Sequence, residues 1–233
     1  MIGTPQTNNE KKTTNSNYSL LSLGLVDYSR ALQLQEKLHQ KRVAGEISNT
    51  LILLEHPPVL TLGSSGKCEN VLLSGEELIR AGISIYKIGR GGDITYHGPG
   101  QLVGYPIIDL RERGRDISRY VWEIEEVIIR LLLEYDIKGV RLQGLRGVWV
   151  QNEKICAIGV QVRKWVTMHG FAFNINTNLA HFGYIVPCGI ANKGVTSLSQ
   201  ILGYELDMGE VREKVVYHFG KVFGATIEMV EYR

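Results

Sequence analysis

The sequence RGGDITYHGPGQLVGYPIID, which runs from Arg90 to Asp109, guides the interpretation of the whole chain. Its twenty residues include five glycines and two prolines, which is poor material for a hydrophobic core. Glycine is used where the backbone approaches a ligand closely or adopts a positive φ. A glycine-rich turn between two strands is the simpler interpretation, but the density of polar residues among the glycines favours a binding site. These polar residues are Arg90, Thr95, Tyr96, His97 and Gln101.

The composition is that of an ordinary globular protein. The chain has 233 residues, of which 44% are hydrophobic and 21% are charged, which fits one large domain with a sizeable core. Its net charge of +2 is only mildly basic, which argues against a dedicated nucleic-acid-binding protein. No apolar run approaches the roughly 18 residues of a membrane-spanning helix, and the N-terminus lacks the layout of a secretory signal. We therefore expect a cytoplasmic protein that binds neither nucleic acid nor membranes.

The N-terminal residues 1–17, MIGTPQTNNEKKTTNSN, are polar and contain few hydrophobic side chains. Such a segment cannot bury enough apolar surface to offset the entropy of ordering it. We expect it to be a disordered lead, followed by a single folded domain over residues 18–233.

Hydrophobic periodicity predicts alternating strands and helices in the first part of that domain. We expect a strand over 18–26, then a helix that has Asp27 as its N-cap and ends near Gly45. The sequence TLILLEH, at 50–56, is a nearly continuous apolar run of strand length. Such runs are typical of strands that are buried on both faces.

A second group of short elements leads into the glycine-rich segment. VLTLG predicts a strand, Ser74 with Glu77 forms a capping-box signal for a short helix, and ISIYKI predicts another strand. The glycine-rich segment itself is expected to contain two short strands, roughly 93–97 and 101–110, folded about the sequence HGPG between them.

The second half of the chain combines a long helix with an antiparallel meander. The helix is expected from about Asp116 to Tyr135. From Gly147, the segments GVWVQ, KICAIGVQV and MHGFAFNIN predict three antiparallel strands joined by short turns. Helices at 197–202 and 208–223 and a last strand, TIEMVEY, complete an α+β fold, a mixed and largely antiparallel sheet flanked by helices. The apolar face of the long helix comprises Tyr120, Ile124, Val127, Ile128, Leu131 and Leu132.

The three cysteines are the first candidates for chemistry. Cys68, Cys156 and Cys188 form neither a disulfide framework nor a CxxC metal pattern, so we expect reduced thiols. A free cysteine is most often a small buried hydrophobic residue. Cys188, however, lies between a proline and a glycine in IVPCGI, and this placement suits a nucleophile better than core packing.

Lys154 is the candidate partner of Cys188, although a lysine at the start of a strand is ordinarily solvated. In the functional interpretation it stabilises the Cys188 thiolate and shuttles a proton between leaving and attacking groups. Alternation along the strand is expected to put Lys154, Cys156 and Ile158 on one face. Cys156 is therefore a rival thiol, although a small residue midway along a strand is more easily explained by packing.

The histidines carry a weaker signal. His97 and His169 each have a glycine beside them, and each is either a structural histidine or part of a site. Together with Gln101, His169 is a candidate for a supporting role. No pair of histidines has the spacing of a metal site, and GRGG matches neither a P-loop nor a dinucleotide fingerprint. We therefore expect no metal and no nucleotide.

Five segments, LLEHPPVLTLG, RGGDITYHGPGQLVGYP, KICAIGV, HGFAFNIN and IVPCGI, occur in this order between about Leu23 and Leu202. In this combination the chain resembles the lipoyl(octanoyl) transferases, also called octanoyl-acyl carrier protein:protein octanoyltransferases. The resemblance implies a catalytic domain similar to those of the biotin and lipoate protein ligases. It also implies the family's activity, which moves an octanoyl group from the phosphopantetheine thioester of acyl carrier protein to a lysine of lipoyl domains.

The resemblance assigns roles to individual positions. Cys188 falls on the family's nucleophile, which carries the acyl group as a thioester, and Lys154 falls on its acid-base lysine. Cys156 stands where we expect alanine in the family. The segments expected to bind the substrate are Arg90, Gly91, Gly92, Asp93, Ile94, Thr95, Tyr96 and His97, then Ala157, Ile158 and Gly159, and finally Gly170, Phe171 and Ala172.

The resemblance also implies partners and the absence of cofactors. The partners are acyl carrier protein, the lipoyl domains of 2-oxoacid dehydrogenases and the glycine cleavage H protein, with neither ATP nor a metal required. An ATP-dependent lipoate or biotin protein ligase is the alternative within the fold, but that chemistry does not need a cysteine. A non-catalytic binding protein is the second alternative, but it would have no use for both Lys154 and Cys188.

Overall fold

A computed structural model describes residues 16–186 and 193–231. Within these residues the strands are β1 Ser16–Leu25, β2 Thr50–Glu55, β3 Val59–Leu62, β4 Ser84–Lys87, β5 Ile94–His97, β6 Gln101–Ile107, β7 Val140–Leu142, β8 Leu145–Val150, β9 Glu153–Arg163, β10 Val166–Asn174, β11 Gly194–Val195 and β12 Ala225–Met229. The helices are α1 Tyr28–Ala44, α2 Gly75–Arg80, α3 Ile117–Leu133, α4 Leu198–Leu202 and α5 Met208–Phe223. Short 3-10 turns occupy Cys68–Asn70, Leu110–Arg113 and Leu179–Tyr184. No helix of this described part is long and apolar enough to cross a membrane.

The large sheet is mixed and largely antiparallel, as predicted. Its strands follow the order β12-β1-β2-β6-β10-β9-β8-β7, and β11 adds to β9. Neighbours from β2 to β7 are antiparallel, whereas β1 runs parallel to β2 and β12, and β11 runs parallel to β9. A small sheet, β4-β3-β5, is separate from it in strand pairing.

Helices cover both faces of the large sheet. The long helices α3 and α5 pack on one face, and α1 packs on the other. Strand β2 lies between the two cores, since Leu51 and Leu53 face the first while Ile52 and Leu54 face the second. The prediction of a strand buried on both faces is thus confirmed. All six apolar residues predicted for the long helix are also buried.

The helix starts follow the capping residues in the sequence. The Asp27 carboxylate accepts a hydrogen bond from Ser29 N at 2.8 Å and begins α1. The Ser74 hydroxyl accepts from Glu77 N at 3.3 Å, while the Glu77 carboxylate accepts from Ser74 N at 2.7 Å. This completes the predicted capping box of α2.

Strand β1 begins earlier than expected. Ser16 and Asn17, assigned to the disordered lead by their polarity, pair with Ala225 and Thr226 of β12. Local polarity could not reveal this pairing, because the partner strand lies at the other end of the sequence. Residues 16 and 17 thus belong to the folded domain, and residues 1–15 lie outside the described part of the chain.

The two strands of the glycine-rich segment exist, but they do not form a hairpin. Strand β5 pairs with β3 in the small sheet, whereas β6 lies between β2 and β10 in the large one. Gly100 has a φ of 78°, and a Cβ on it would lie 2.5 Å from Asn176 O. Glycine is therefore required where the chain passes from one sheet to the other.

Candidate active site

A cavity of about 720 Å³ lies between the glycine-rich loop and strands β9 and β10. Most predicted binding residues line it: Arg90, Gly91, Gly92, Asp93, Ile94, Thr95, His97, Ala157, Ile158, Gly159, Gly170, Phe171 and Ala172. Lys154, Gln101 and His169 line it as well. A volume of this size is typical of small-molecule sites.

Two of the predicted residues stand apart from this group. Tyr96 does not line the cavity, because its side chain packs in the core of the small sheet. There its hydroxyl is hydrogen-bonded to Nδ1 of His181 at 2.6 Å. Alternation along β5 turns the Tyr96 side chain away from those of its neighbours Thr95 and His97, so the structure gives it a packing contact, and its predicted binding role stays a prediction. Cys188, the predicted nucleophile, lies outside the described residues.

The Arg90 side chain anchors the glycine-rich loop to β3. The buried guanidinium donates to Thr61 O at 2.6 Å, to Thr61 Oγ1 at 3.0 Å and to Gly91 O at 3.1 Å. The loop is also tied to β9, because Gly91 N donates to Val160 O at 2.9 Å. A Cβ on Gly159 would lie 2.9 Å from Arg90 Cδ. The glycine at this point of β9 therefore makes room for the arginine.

His97 belongs to a directed chain of hydrogen bonds. The Gln101 amide NH₂ donates to Tyr96 O at 3.1 Å and to Asn174 Oδ1 at 2.9 Å. Its Oε1 is therefore the acceptor for His97 Nδ1–H at 2.8 Å. His97 Nε2 is left to accept the Thr61 hydroxyl proton at 3.3 Å. The imidazole is thus held as one neutral tautomer.

Burial keeps three neighbouring histidines neutral. Loss of solvent lowers the pKa of His97 to about 3, with a further contribution from His56. The same cause lowers the pKa of His56 to about 4 and that of His169 to about 4. The His56 and His97 ring centroids are 5.8 Å apart, and Tyr105 OH donates to His56 Nε2 at 2.8 Å. These imidazoles are uncharged at neutral pH and act as hydrogen-bonding groups.

The backbone around Lys154 departs from the expected alternation. Val148 pairs with Cys156, and the next residue of β8, Trp149, pairs with Lys154. Strand β9 therefore carries one extra residue, Ile155, in a β-bulge. Because Val148 and Trp149 point to opposite faces, Lys154 and Cys156 do so too. The prediction that they share a face is wrong, since pattern alone does not locate a bulge.

Cys156 is a packing residue. It is fully buried, packs in the core beneath α3, and does not line the cavity. Burial raises the pKa of its thiol well above the usual range. A thiol that is neither ionised nor accessible is a poor nucleophile. The burial of Cys156 therefore favours the packing interpretation of this residue, and the acylated thiol stays a prediction.

Lys154 itself is half-buried in the cavity wall. Its ammonium Nζ lies 4.8 Å from the centroid of the Trp149 ring. Its carbonyl accepts a hydrogen bond from Thr196 N at 3.0 Å, and its backbone pairs with Val195 of β11. Lys193, Gly194 and Val195, which follow the segment containing Cys188, also line the cavity.

Comparison with known proteins places the chain in a family. The sequence model of the Lipoyl protein ligase A/B catalytic domain matches residues 27–220. The chain belongs to this family. An octanoyltransferase of Caldicellulosiruptor saccharolyticus is 55% identical to it over 210 residues, which cover 89% of each protein.

Solved structures confirm the fold expected for this lipoyl ligase family. The bi-partite lipoate protein ligase of Thermoplasma acidophilum aligns with a TM-score of 0.67 at 15% identity, covering 93% of this chain and 88% of that one. The biotin protein ligase of Aquifex aeolicus aligns with a TM-score of 0.53 at 18% identity, covering 88% and 69%. At these identities the likeness concerns architecture alone.

Several residues of this family member's cavity were not predicted from the sequence. Tyr28, Tyr105, Trp149 and Asn174 line it without having been singled out. Asn174 lies within the motif HGFAFNIN, whereas Tyr28 follows a helix cap and resembles an ordinary core residue. For the described residues, no group of three His, Cys, Asp or Glu side chains suits a metal ion. The expectation of a metal-free site remains a prediction.

Proposed function

We propose that this protein takes an octanoyl group from the phosphopantetheine thioester of acyl carrier protein and transfers it to a lysine of lipoyl domains, through a thioester on Cys188. Its curated relatives are named octanoyltransferases, and acyl transfer fits the family. The proposal adds the donor, the covalent intermediate and the acceptors, which include lipoyl domains of 2-oxoacid dehydrogenases and the glycine cleavage H protein. The site of action we expect is the cytoplasm.

The observation that carries this proposal is the position of Lys154 in the wall of a cavity of mixed polarity. Apolar side chains along the cavity suit an acyl tail, and the lysine supplies a proton-transfer group at the start of β9. The apolar lining includes Ile94, Val121, Leu145, Ile158, Phe171 and Val195.

The reaction then proceeds in two steps, acylation of Cys188 and transfer of the acyl group to the acceptor lysine. The Cys188 thiolate attacks the thioester carbonyl, the bond to phosphopantetheine breaks, and the leaving carrier thiolate takes a proton from the Lys154 ammonium. The ε-amine of the acceptor lysine next attacks the acyl-cysteine, an amide forms, and the Cys188 thiolate is released. Lys154 accepts the proton that the amine loses. Backbone N–H groups of the glycine-rich strands are suited to stabilise the oxyanion in each step.

Neither ATP nor a metal ion enters this scheme, because the donor is already an activated thioester. A ligase would instead consume ATP to adenylate a free acid before transfer. The similarity to ligase structures concerns the fold alone. The two activities are therefore distinguished by whether transfer requires ATP or uses an acyl thioester.

Intact-protein mass spectrometry tests the proposal directly. We expect the wild type, mixed with octanoyl-acyl carrier protein without ATP, to gain one hydroxylamine-labile octanoyl group. The adduct should persist in Cys156→Ser, because that thiol is buried, and should be absent in Cys188→Ser. Addition of a lipoyl domain should discharge it.

Two results would refute the scheme. If the wild type acquired no adduct and acylated the lipoyl domain only with free octanoate and ATP, the chain would be a ligase. If the adduct formed equally in Cys188→Ser, another residue would carry the acyl group.

A further inference from the structure

Trp149 and Lys154 form a pair across two strands of the cavity wall. They are register partners on β8 and β9, and both side chains line the cavity. The Lys154 ammonium lies 4.8 Å from the centroid of the indole ring, within the range of a cation–π interaction. The bulge at Ile155 creates this pair, because it places the Lys154 side chain on the same face of the sheet as that of Trp149.

The indole N–H does not explain the presence of tryptophan at this position. Trp149 is only 2% exposed, yet its Nε1 has no hydrogen-bond acceptor among the described residues. A buried donor without a partner is a cost to the folded state rather than a contribution. The ring face, by contrast, lies against the Lys154 ammonium.

We propose that Trp149 is a positioning residue for Lys154, and that its ring face fixes the ammonium against the cavity wall during acyl transfer. Lysine has a flexible four-carbon stem and a compact charge, so a flat electron-rich surface restricts where that charge can lie. This inference rests on the proposed function, in which the Lys154 ammonium first donates a proton to the leaving carrier thiolate and then, as an amine, accepts one from the attacking lysine.

Conservative and non-conservative variants separate positioning from packing. Trp149→Phe keeps an aromatic face but loses the five-membered ring with its unsatisfied N–H, whereas Trp149→Met fills space with a flexible chain and offers no ring. Steady-state octanoyl transfer from octanoyl-acyl carrier protein to a lipoyl domain is the assay. We expect Trp149→Met to lower kcat about tenfold, a barrier change of about 1.4 kcal/mol, which is within the range of a desolvated cation–π contact. KM for both substrates should remain within about twofold, and Trp149→Phe should lose no more than about threefold in kcat.

A second measurement does not depend on activity. Reductive methylation with ¹³C-formaldehyde converts lysines to dimethyl-lysines that keep their charge. The Lys154 resonance, assigned by its loss in Lys154→Arg, should be shifted upfield by the ring current of Trp149. The shift should persist in Trp149→Phe and disappear in Trp149→Met.

The two measurements test the contact and the positioning role separately. An unchanged Lys154 resonance in Trp149→Met would overturn the contact, whatever the kinetics. Equal losses of kcat in Trp149→Phe and Trp149→Met would overturn the positioning role. If the wild type showed no transfer without ATP, the proposed function would fail, and the resonance would still decide whether the ring holds the lysine. Should Trp149→Met not fold, Trp149→Leu replaces it.

Discussion

At the scale of single residues, the cavity is organised by side chains whose hydrogen bonds have a defined direction. Arg90 donates to Thr61, Thr61 to His97, and His97 to Gln101. Gln101 continues the chain to Asn174, which donates to Thr196 O at 3.0 Å. Each link fixes the orientation of the next, so the loop at Arg90 and the strand region at Lys154 belong to one network.

Gln101 is the link whose loss should cost most, because it has three partners. In Gln101→Met, His97 Nδ1–H, Tyr96 O and Asn174 Oδ1 all lose a buried hydrogen bond. We expect the free energy of unfolding to fall by about 3 kcal/mol, since each unsatisfied buried group costs roughly 1–3 kcal/mol. Urea denaturation measures the change.

The exposed Gln200, whose own backbone N–H forms the hydrogen bond to Ser197, is a matched control. Gln200→Met should change stability by no more than about 0.5 kcal/mol. Equal effects of the two substitutions would contradict a special role for the buried amide.

At the scale of elements, local signals predicted the helices and their ends well. The side chains of Asp27, Ser74 and Asp116 cap helices because each accepts a hydrogen bond from a backbone N–H two or three residues later in the sequence. Sheet partners depend on distant segments, so the same patterns did not reveal that β5 and β6 belong to different sheets. The bulge at Ile155 was equally invisible, because it depends on the register of two strands.

The facing glycines of β9 and β10 provide a test at this scale. Gly170 pairs with Gly159, and a Cβ on Gly170 would overlap Gly104 O and lie 2.6 Å from Pro106 Cδ. Neither obstacle is a flexible side chain, so β6 and β10 would have to separate. We expect Gly170→Ala to lower the free energy of unfolding by about 1–3 kcal/mol, as overpacking does, and to raise KM for the acyl donor.

Gly24, at the end of β1, has no atom near an added Cβ. Gly24→Ala should therefore leave stability unchanged or raise it by about 0.5 kcal/mol, since alanine has less freedom to lose on folding. Thermal melts of both variants would decide the matter, and a Gly170→Ala protein as stable as the wild type would mean that the strands can separate at little cost.

At the scale of the whole molecule, the site predicted from motifs is assembled from parts of the chain that are far apart. The glycine-rich loop, the start of β9 and the middle of β10 converge on one cavity. The members that sequence did not predict, such as Tyr28 and Tyr105, have aromatic side chains typical of a core. Their role follows from the cavity between the two sheets, which no local pattern encodes.

The buried histidines should make the stability of the whole protein depend on pH. In the folded state burial lowers the pKa values of His56, His97 and His169 to about 4, 3 and 4, while an unfolded histidine titrates near pH 6.5. Above that pH neither state binds these protons, so stability does not vary through them. Below it the unfolded chain takes up protons that the folded protein excludes, and stability falls as pH decreases.

Each of these histidines contributes a limiting slope of about 1.4 kcal/mol per pH unit, so the three together approach about 4 kcal/mol per unit. Hydrogen bonds to Arg111 lower the pKa of Asp109. Carboxylates of this kind also make stability fall as pH decreases, but only nearer pH 4. Urea denaturation between pH 7 and 5 therefore isolates the histidines. His169 has a φ of 57°, which asparagine tolerates, so His169→Asn should reduce the pH dependence by roughly one third. If the free energy of unfolding of the wild type changed over this range by less than the amount expected from one histidine, the prediction would be wrong. The imidazoles would then take up protons while the protein remains folded.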